Sequence, residues 1–468
     1  MLARFDFRQS PNLTMILNVV AVLVIGALMG GLTLIHPLLS FVAIIGVILT
    51  YVSLVYPLFL AYVLIFATIT TSGMLRGSII PMLKPNEAVL ALTGAVSFVV
   101  IMLRRPPQIA NTRVFIGMLI LVFGTTFIPI LAYYARGWRF TMSELFNLLA
   151  PAQYLLLFWI FSYLPETDTE RRQLVQFMLL CATLLGFVGL LQVAKIGGVQ
   201  GFLERWYPGD QTDQAATLNR VTTLFGAWNA TGTFLMIVML LIIALQAIKH
   251  PLWMRLNMYI ALGVCGACLL ASGSFAGIGG LAAGIVMVKF LDRRGMRALL
   301  NLGIAMLIAA LLLSPIIIQR LQYQFGDGGA TNSAVPQTFA YRLTIWQNIY
   351  IPALMKSNPW FGLVPTMENL SWQWAESQYI FLLMRSGIVS LVAHLAWVGI
   401  MCAWLWNRMR TTTGQTKIIA NVTLCCLIIL SVMGFTNEVF TLSGAIDYIW
   451  IFLGLVANAG VNPIAEPE

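Results

Sequence analysis

The sequence predicts an all-α polytopic membrane protein with about 12 to 14 transmembrane helices. Of its 468 residues, 59% are hydrophobic and only 9% are charged, whereas soluble domains carry about 25% charged residues. The mean hydropathy of the chain is +0.87. Apolar runs of about 20 residues, the length that crosses a bilayer as a helix, recur from one end of the chain to the other.

Each predicted span is an apolar run bounded by charged, Gly or Pro residues. The ninth and tenth spans are short, and the segment SGSFAG at 272–277 joins them. In chain order, the spans are predicted near 13–33, 38–53, 57–72, 86–103, 114–132, 145–163, 173–194, 223–247, 256–271, 276–291, 298–317, 377–405, 418–436 and 443–458.

The distribution of Lys and Arg predicts the orientation. Most of these 27 residues fall in the short loops on the side of the two termini, and positive loops stay in the cytoplasm. Both termini are therefore expected to be cytoplasmic. The chain divides into N-terminal helices at 1–194, a long outer loop at 195–222, central helices at 223–317, a large outer loop at 318–376 and C-terminal helices at 377–468.

The remaining bases are expected on the outer face, against the orientation rule. Two explanations stay open for them: solvated charge, or recognition of an anionic substrate. The net charge of +10 follows from the cytoplasmic loops, so nucleic-acid binding is not expected. The outer bases are Arg76, Lys84, Arg136, Arg139, Lys195, Arg205, Arg220, Arg320, Arg342, Lys356 and Arg385.

The large outer loop contains a predicted amphipathic helix, FAYRLTIWQNIYIPALMKSN, at 339–358. Arg342 and Trp346 are four residues apart, which places them on one helical face. The next residues, NPWFGL at 358–363, predict a turn because Asn-Pro and Gly interrupt helices. Tryptophans in this region could contact a substrate, but a membrane-interface belt explains them equally well.

Several polar residues near the outer ends of spans have a structural and a functional interpretation. Arg220 is either an interfacial anchor or a cation for an anionic lipid headgroup. Asn229 is either an interhelical hydrogen-bonding residue or a substrate contact. Tyr379 is either a belt aromatic or a cavity residue, whereas a charge as deep as Arg385 favours a functional role.

Two sequence features have structural explanations. Cys265 and Cys268 have the CxxC spacing but lie in an apolar helix without a second ligand pair, so they indicate packing rather than a metal site. Gly273, Gly277, Gly279, Gly280 and Gly284 indicate close helix packing.

An ordered series of motifs resembles the O-antigen polymerase and ligase superfamily over about residues 215–400. The first is Arg-x5-Gly-x2-Asn-x2-Gly from Arg220, followed by the two short helices. The large loop then carries Arg-x3-Trp from Arg342 and Asn-Pro-x2-Gly from Asn358. Glu-Ser-x-Tyr from Glu376 and Arg-Ser-Gly-Ile from Arg385 complete the series.

The resemblance implies a metal-independent glycosyltransferase of the GT-C type without a cofactor. It implies transfer of a glycan from undecaprenyl diphosphate at the outer face of the bacterial inner membrane. Arg220 and Arg342 match the functional arginines of the superfamily and are expected to hold the diphosphate. The expected substrate contacts are Asn229, Trp346, Tyr379, Arg385, Arg136 and Arg139.

Two departures from the superfamily pattern affect the expected activity. Ligases of the superfamily carry a histidine late in the large loop, where this chain has Glu376. We therefore expect Glu376 to be the acceptor base, with Glu368 second, although Glu376 could equally complement the start of the next helix. The chain also has Ser274-Phe275 where the superfamily often has Ser-Arg.

The first departure favours a polymerase of lipid-linked repeat units for O-antigen, capsule or exopolysaccharide. The alternatives are a ligase that transfers finished glycan to lipid A core or protein, and a polysaccharide transporter or flippase. The resemblance also implies the membrane lipid itself, a chain-length regulator and a flippase as partners.

Overall fold

A computed structural model of the chain describes residues 37–78, 83–104, 112–165, 167–208, 220–248, 251–292, 337–356, 358–364 and 375–458. Within these ranges every extended secondary-structure element is a helix. Numbered in chain order, the helices are α1 Pro37–Val55, α2 Leu58–Thr71, α3 Pro85–Arg104, α4 Thr112–Ala135, α5 Met142–Tyr163, α6 Asp168–Val193, α7 Val199–Trp206, α8 Trp228–Leu245, α9 Leu252–Ser272, α10 Phe275–Asp292, α11 over 337–356, α12 Gln378–Thr411, α13 Gly414–Met433 and α14 Ala445–Asn458.

The expectation of an all-α polytopic membrane protein is confirmed. Seven of the described helices, namely α4, α5, α6, α8, α9, α12 and α13, are long and apolar enough to cross a membrane, and α2, α10 and α14 are shorter apolar helices. Twelve of the fourteen predicted spans coincide with a helix. The other two, near 13–33 and 298–317, lie outside the described residues.

Capping-box sequences mark the beginnings of two of these helices. Thr141 and Glu144 form a capping box at α5, and Thr167 and Glu170 form another at α6. In each box the threonine side chain accepts the backbone N–H of the glutamate, whose carboxylate accepts the backbone N–H of the threonine. These reciprocal bonds set where the two helices begin.

Helix α8 forms the centre of the bundle and is buried on nearly every side. It packs against α9, α10, α13 and α14. Glycines on α10 let it approach closely: a Cβ at Gly277 would lie 2.8 Å from the carbonyl oxygen of Gly232, and one at Gly280 would lie 2.5 Å from Met236 Sδ. Gly279 instead faces open space, so the predicted glycine packing is confirmed for only part of the set.

Most of the polar loops between helices lie at one end of the bundle, which we call the loop end. It is where α2, α4, α6, α9 and α13 end and where α3, α5, α8, α10, α12 and α14 begin. Contacts across the loop end link the turns: Gly73 touches Leu224 and Phe225, and Gly444 touches Phe225. The connections that the sequence places on the outer face therefore share one end of the molecule.

Helix α12 is broken at Gly387, where φ is 74° and ψ is −170°. The predicted turn after Asn358 fills this break. The N–H groups of Ile388 and Val389 donate to the carbonyl oxygens of Pro359 and Trp360 over 2.8 and 3.3 Å. This turn is thereby inserted between the two halves of α12, an arrangement that the apolar pattern of the span did not predict.

Candidate functional site

An ion pair joins α11 to the segment that precedes α12. Arg342 Nε and Nη2 donate to Oε2 of Glu376 over 3.0 and 2.7 Å. One turn further along α11, Trp346 Nε1 donates to the carbonyl oxygen of Ala375 over 2.7 Å. The predicted shared face of Arg342 and Trp346 is confirmed, and it holds two consecutive residues of the adjoining segment.

A π-helical turn, Trp346–Tyr350, shapes the face of α11 that carries Trp346. At its end the N–H of Ile351 bonds to the carbonyl oxygen of Trp346, five residues back. Pro352 follows, and proline has no N–H and clashes with the carbonyl four residues earlier in a regular helix. The wider π-helical turn accommodates the proline ring and its missing N–H. The π turn of α4, Phe123–Phe127, is followed by the same Ile-Pro pair.

Glu438, in the loop between α13 and α14, fixes the backbone beside this ion pair. Its Oε1 accepts the N–H groups of Ala375 and Glu376 over 2.9 and 3.2 Å. Glu376 has a φ of 55°, which is uncommon for a residue other than glycine. Burial raises the pKa of Glu438, while these two N–H groups and the charge of Arg385 oppose that rise.

A cavity of about 700 Å³ lies at the loop end, lined by Glu438 and by residues of α2, α3, α4, α5, α12 and α14. Its volume falls in the range of about 300–1,000 Å³ found for small-molecule sites. Ionisable residues within membrane helices are costly and mark function by default. Four such residues line the cavity from helices, namely Glu87, Arg385, His394 and Asp447, and the adjoining loops add Arg76, Lys84 and Glu438.

The acidic residues near the beginnings of α3 and α14 already have partners. Arg76 Nη1 and Nη2 donate to Oε2 and Oε1 of Glu87 over 2.8 and 2.7 Å, a bidentate geometry that strengthens the pair. Asp447 Oδ2 accepts the N–H of Gly444 over 3.0 Å. Burial lowers the pKa of Lys84, and the nearby charge of Glu87 opposes that change.

Arg385 lies on the cavity wall, next to the break in α12. Its Nη2 donates to the carbonyl oxygen of Asn147 on α5, and its own carbonyl oxygen accepts the hydroxyl of Tyr133 over 2.7 Å. Arg385 Nε is buried and has no hydrogen-bond partner among the described residues. Arg385 is therefore tied to the bundle while one of its donors stays unsatisfied at the cavity.

Aromatic rings form another wall of the cavity. Trp450 stacks on Tyr154 with ring centroids 5.4 Å apart and on Trp397 with centroids 4.9 Å apart. Nε1 of both tryptophans, Nε2 of His394 and Oδ1 of Asn86 are buried without a hydrogen-bond partner in the described part of the chain. Buried polar atoms are normally hydrogen-bonded, so these four atoms are exceptions within the residues that line the cavity.

Arg220 lies at the loop end and supports the turn between α9 and α10. Its Nε and Nη2 donate to the carbonyl oxygens of Ser272 and Gly273 over 3.0 and 2.9 Å. Its guanidinium also stacks over the ring of Trp228, 3.9 Å from the centroid. Arg220 thus supports the C-terminus of α9, whereas Arg342 pairs with the segment before α12.

The other predicted substrate contacts occupy separate positions. Arg136 Nη1 donates to the carbonyl oxygen of Gly362 over 2.9 Å, so it braces the turn that fills α12, and Arg139 is exposed. Asn229 is half-buried in the first turn of α8. The hydroxyl of Tyr379 donates to the carbonyl oxygen of Ser431 over 2.5 Å.

Sequence reasoning missed Glu87 and Asp447 and gave Glu438 no role. A usable signal for Asp447 was its position as an acid in an otherwise apolar final span. Glu438 offered no such signal, because the backbone groups that it binds lie more than 60 residues earlier in the chain. Glu368, the second candidate base, lies outside the described residues.

No protein-family model and no curated protein matches the sequence. The structure brings Arg342, Trp346 and Glu376 together, with Glu438 connecting them to the cavity that contains Arg385.

Proposed function

We propose that this protein polymerises undecaprenyl-diphosphate-linked oligosaccharide repeat units at the outer face of the bacterial inner membrane. One observation carries the proposal: Arg342 on a partly exposed helix and Arg385 in a cavity are connected through Glu376 and Glu438 at a single end of the bundle. A lipid-diphosphate donor would meet such an end at the membrane surface.

The chemistry of transfer suits this arrangement. Breaking the bond between the anomeric carbon and the phosphate places negative charge on the leaving diphosphate. A positive group placed where charge develops is usually the largest catalytic contribution, and a guanidinium holds phosphate oxygens through its fork of donors. Arg342 presents such a fork, now bound to Glu376. In this proposal the diphosphate replaces Glu376 in some of the hydrogen bonds of Arg342. Transfer occurs in one step that inverts the anomeric carbon, without a metal.

The structure changes the part that we propose for Arg220. Its Nε and Nη2 hold the carbonyl oxygens of Ser272 and Gly273. In the proposed reaction Arg220 therefore acts chiefly by positioning the turn between α9 and α10, and Arg342 supplies the principal phosphate contact.

The test uses purified protein with an undecaprenyl-diphosphate-linked repeat unit and separates products by length and by attached carrier. Wild type is expected to produce a ladder of longer carrier-linked glycans. Arg342→Ala is expected to lower donor consumption by about 100-fold or more, the loss seen when one preorganised donor is removed. Arg342→Lys should recover only part of it, because lysine lacks the planar fork.

Lys356→Ala is the matched control. Lys356 is an exposed base at the end of the same helix, so its removal should leave the rate unchanged. If Arg342→Ala retains the wild-type rate, the proposed diphosphate contact is wrong.

The same assay separates the competing functions. A ligase would consume donor only when a separate acceptor is added, and its product would not be a longer carrier-linked chain. A transporter is favoured by one observation: Glu87, Arg385 and Asp447 line a cavity among membrane helices. If the protein is a transporter, the carrier-linked repeat unit would move from one leaflet to the other without being chemically changed.

A further inference from the structure

The charges that line the cavity balance one another, which makes it a poor site for the diphosphate. Its three bases and three acids balance in formal charge, and Arg76 is already paired with Glu87. Coulombic interactions also join Lys84 to Asp447 and Arg385 to Glu438. A dianion would gain little net attraction in such a site.

The remaining lining fits a sugar ring. Tyr154, Trp450 and Trp397 line the cavity with mutually stacked rings, and sugars present apolar C–H faces that pack against aromatic walls. The lining residues also carry buried polar atoms without a hydrogen-bond partner among the described residues: Arg385 Nε, both tryptophan Nε1 atoms, His394 Nε2 and Asn86 Oδ1. A small number of polar groups that converge on a mostly apolar pocket is typical of small-molecule sites.

Glu438 connects this cavity to the place where Arg342 lies. Both of its backbone hydrogen bonds go to Oε1, which leaves Oε2 to receive a proton from a ligand in the cavity. Glu376 is differently placed, since its Oε2 accepts two bonds from Arg342 and its protonation would break that ion pair. Glu438 is thus better arranged than Glu376 to act as a base.

We propose that the cavity binds the acceptor sugar of the repeat unit and that Glu438 accepts the proton of its attacking hydroxyl. This inference rests on the proposed polymerase function. The hydroxyl oxygen forms a bond to the anomeric carbon of the donor glycan, and the bond from that carbon to the phosphate oxygen breaks. Its electron pair stays on undecaprenyl diphosphate, and the hydroxyl proton moves to Oε2 of Glu438.

The first test compares Glu438→Gln with Glu376→Gln in the polymerisation assay. Glutamine keeps an oxygen for the two backbone N–H groups but cannot act as the base. We expect Glu438→Gln to lose about 100-fold or more in turnover, the usual contribution of a general base, and Glu376→Gln to lose less. Turnover of Glu438→Gln within about tenfold of wild type would overturn the assignment.

The pH profile gives a readout that does not depend on a variant. The base acts in its ionised form, so the rate should rise with pH at values above the usual range of a carboxyl, because burial raises the pKa of Glu438. The ionisable groups around it are Glu376, Arg385 and Tyr350. A wild-type rate that is flat across this range would contradict the assignment.

The second test measures sugar binding without chemistry. The probe is the repeat-unit oligosaccharide released by mild acid from the carrier lipid of the host. Trp450→Phe, which removes the buried Nε1 of a lining residue and keeps a ring in the stack, should weaken its binding. Trp404→Phe is the matched control, because Trp404 also has a buried unsatisfied Nε1 but does not line the cavity.

The two assays distinguish failure of this inference from failure of the proposed function. Carrier-linked ladders with no effect of Glu438→Gln or Trp450→Phe would retain the polymerase and overturn the acceptor site. Oligosaccharide binding that Trp450→Phe weakens, without any longer product from wild type, would retain the sugar cavity and overturn the polymerase.

Discussion

At the scale of single residues, the segment of Ala375 and Glu376 is held from two sides. Arg342 and Trp346 bind it from α11, and Glu438 binds it from the loop before α14. The spacing of Arg342 and Trp346 predicted that they would act together, because helical periodicity is local. The role of Glu438 could not be predicted, because it depends on tertiary contact between distant parts of the chain.

Glu438 should make stability depend on pH in a defined direction. A raised pKa in the folded state means that the folded protein binds more protons than the unfolded chain, so stability falls as pH rises through that interval. The interval runs from the usual value of 4.5 upward to the raised pKa. Glu438→Gln should therefore reduce the fall in thermal midpoint that wild type shows over this range.

The measurement is thermal unfolding in detergent at a series of pH values, with Glu204→Gln as the control. Glu204 is exposed on α7, and its replacement should leave the wild-type slope intact. Identical slopes for wild type and Glu438→Gln would contradict the burial that the structure shows.

At the scale of elements, α12 departs most from what its sequence indicates. Its 34 residues would extend about 51 Å as a regular helix, well beyond the bilayer core of about 30 Å. Hydropathy located the span correctly, since it responds to composition. It could not locate the break, because Arg-Ser-Gly-Ile is compatible with a helix until the turn after Asn358 is placed against it.

Gly387→Ala should destabilise the protein by about 1–3 kcal/mol or more. Backbone with positive φ and ψ near 180° is essentially restricted to glycine, and a Cβ at Gly387 would lie 2.2 Å from the carbonyl oxygen of Trp360. The measurement is the thermal midpoint of the purified variant.

Gly399→Ala is the matched control on the same helix. A Cβ there meets nothing within 4 Å, and alanine favours a helix over glycine by about 1 kcal/mol. The control should be as stable as wild type or more stable. Equal midpoints for Gly387→Ala and Gly399→Ala would show that the break is not required.

At the scale of the whole molecule, hydropathy predicted the positions of the helices. It gave no indication of the cavity or of the residues that line it. Each span carries its own apolar signal, so twelve of the fourteen could be matched to described helices. The cavity instead draws its residues from α2, α3, α4, α5, α12 and α14 and from the loops that join them. No one of these helices has a pattern that reveals the group.

Labelling with a membrane-impermeant maleimide tests the orientation. The six native cysteines are free, and all are buried except the partly buried Cys402. Arg139→Cys at the loop end should react from outside intact cells or spheroplasts, and Thr413→Cys at the opposite end should react only after lysis. Both positions are exposed. The reverse result would place the loop end in the cytoplasm and remove the basis for an outer-leaflet donor.

The turn that fills the break in α12 has a consequence for anyone who exchanges parts of this protein. A chimaera that received another outer loop but kept α12 would lose the acceptors for the N–H groups of Ile388 and Val389. Unpaired backbone groups within the membrane cost several kcal/mol each. A chimaera that exchanges this surface should therefore exchange residues 337–389 together as one continuous segment.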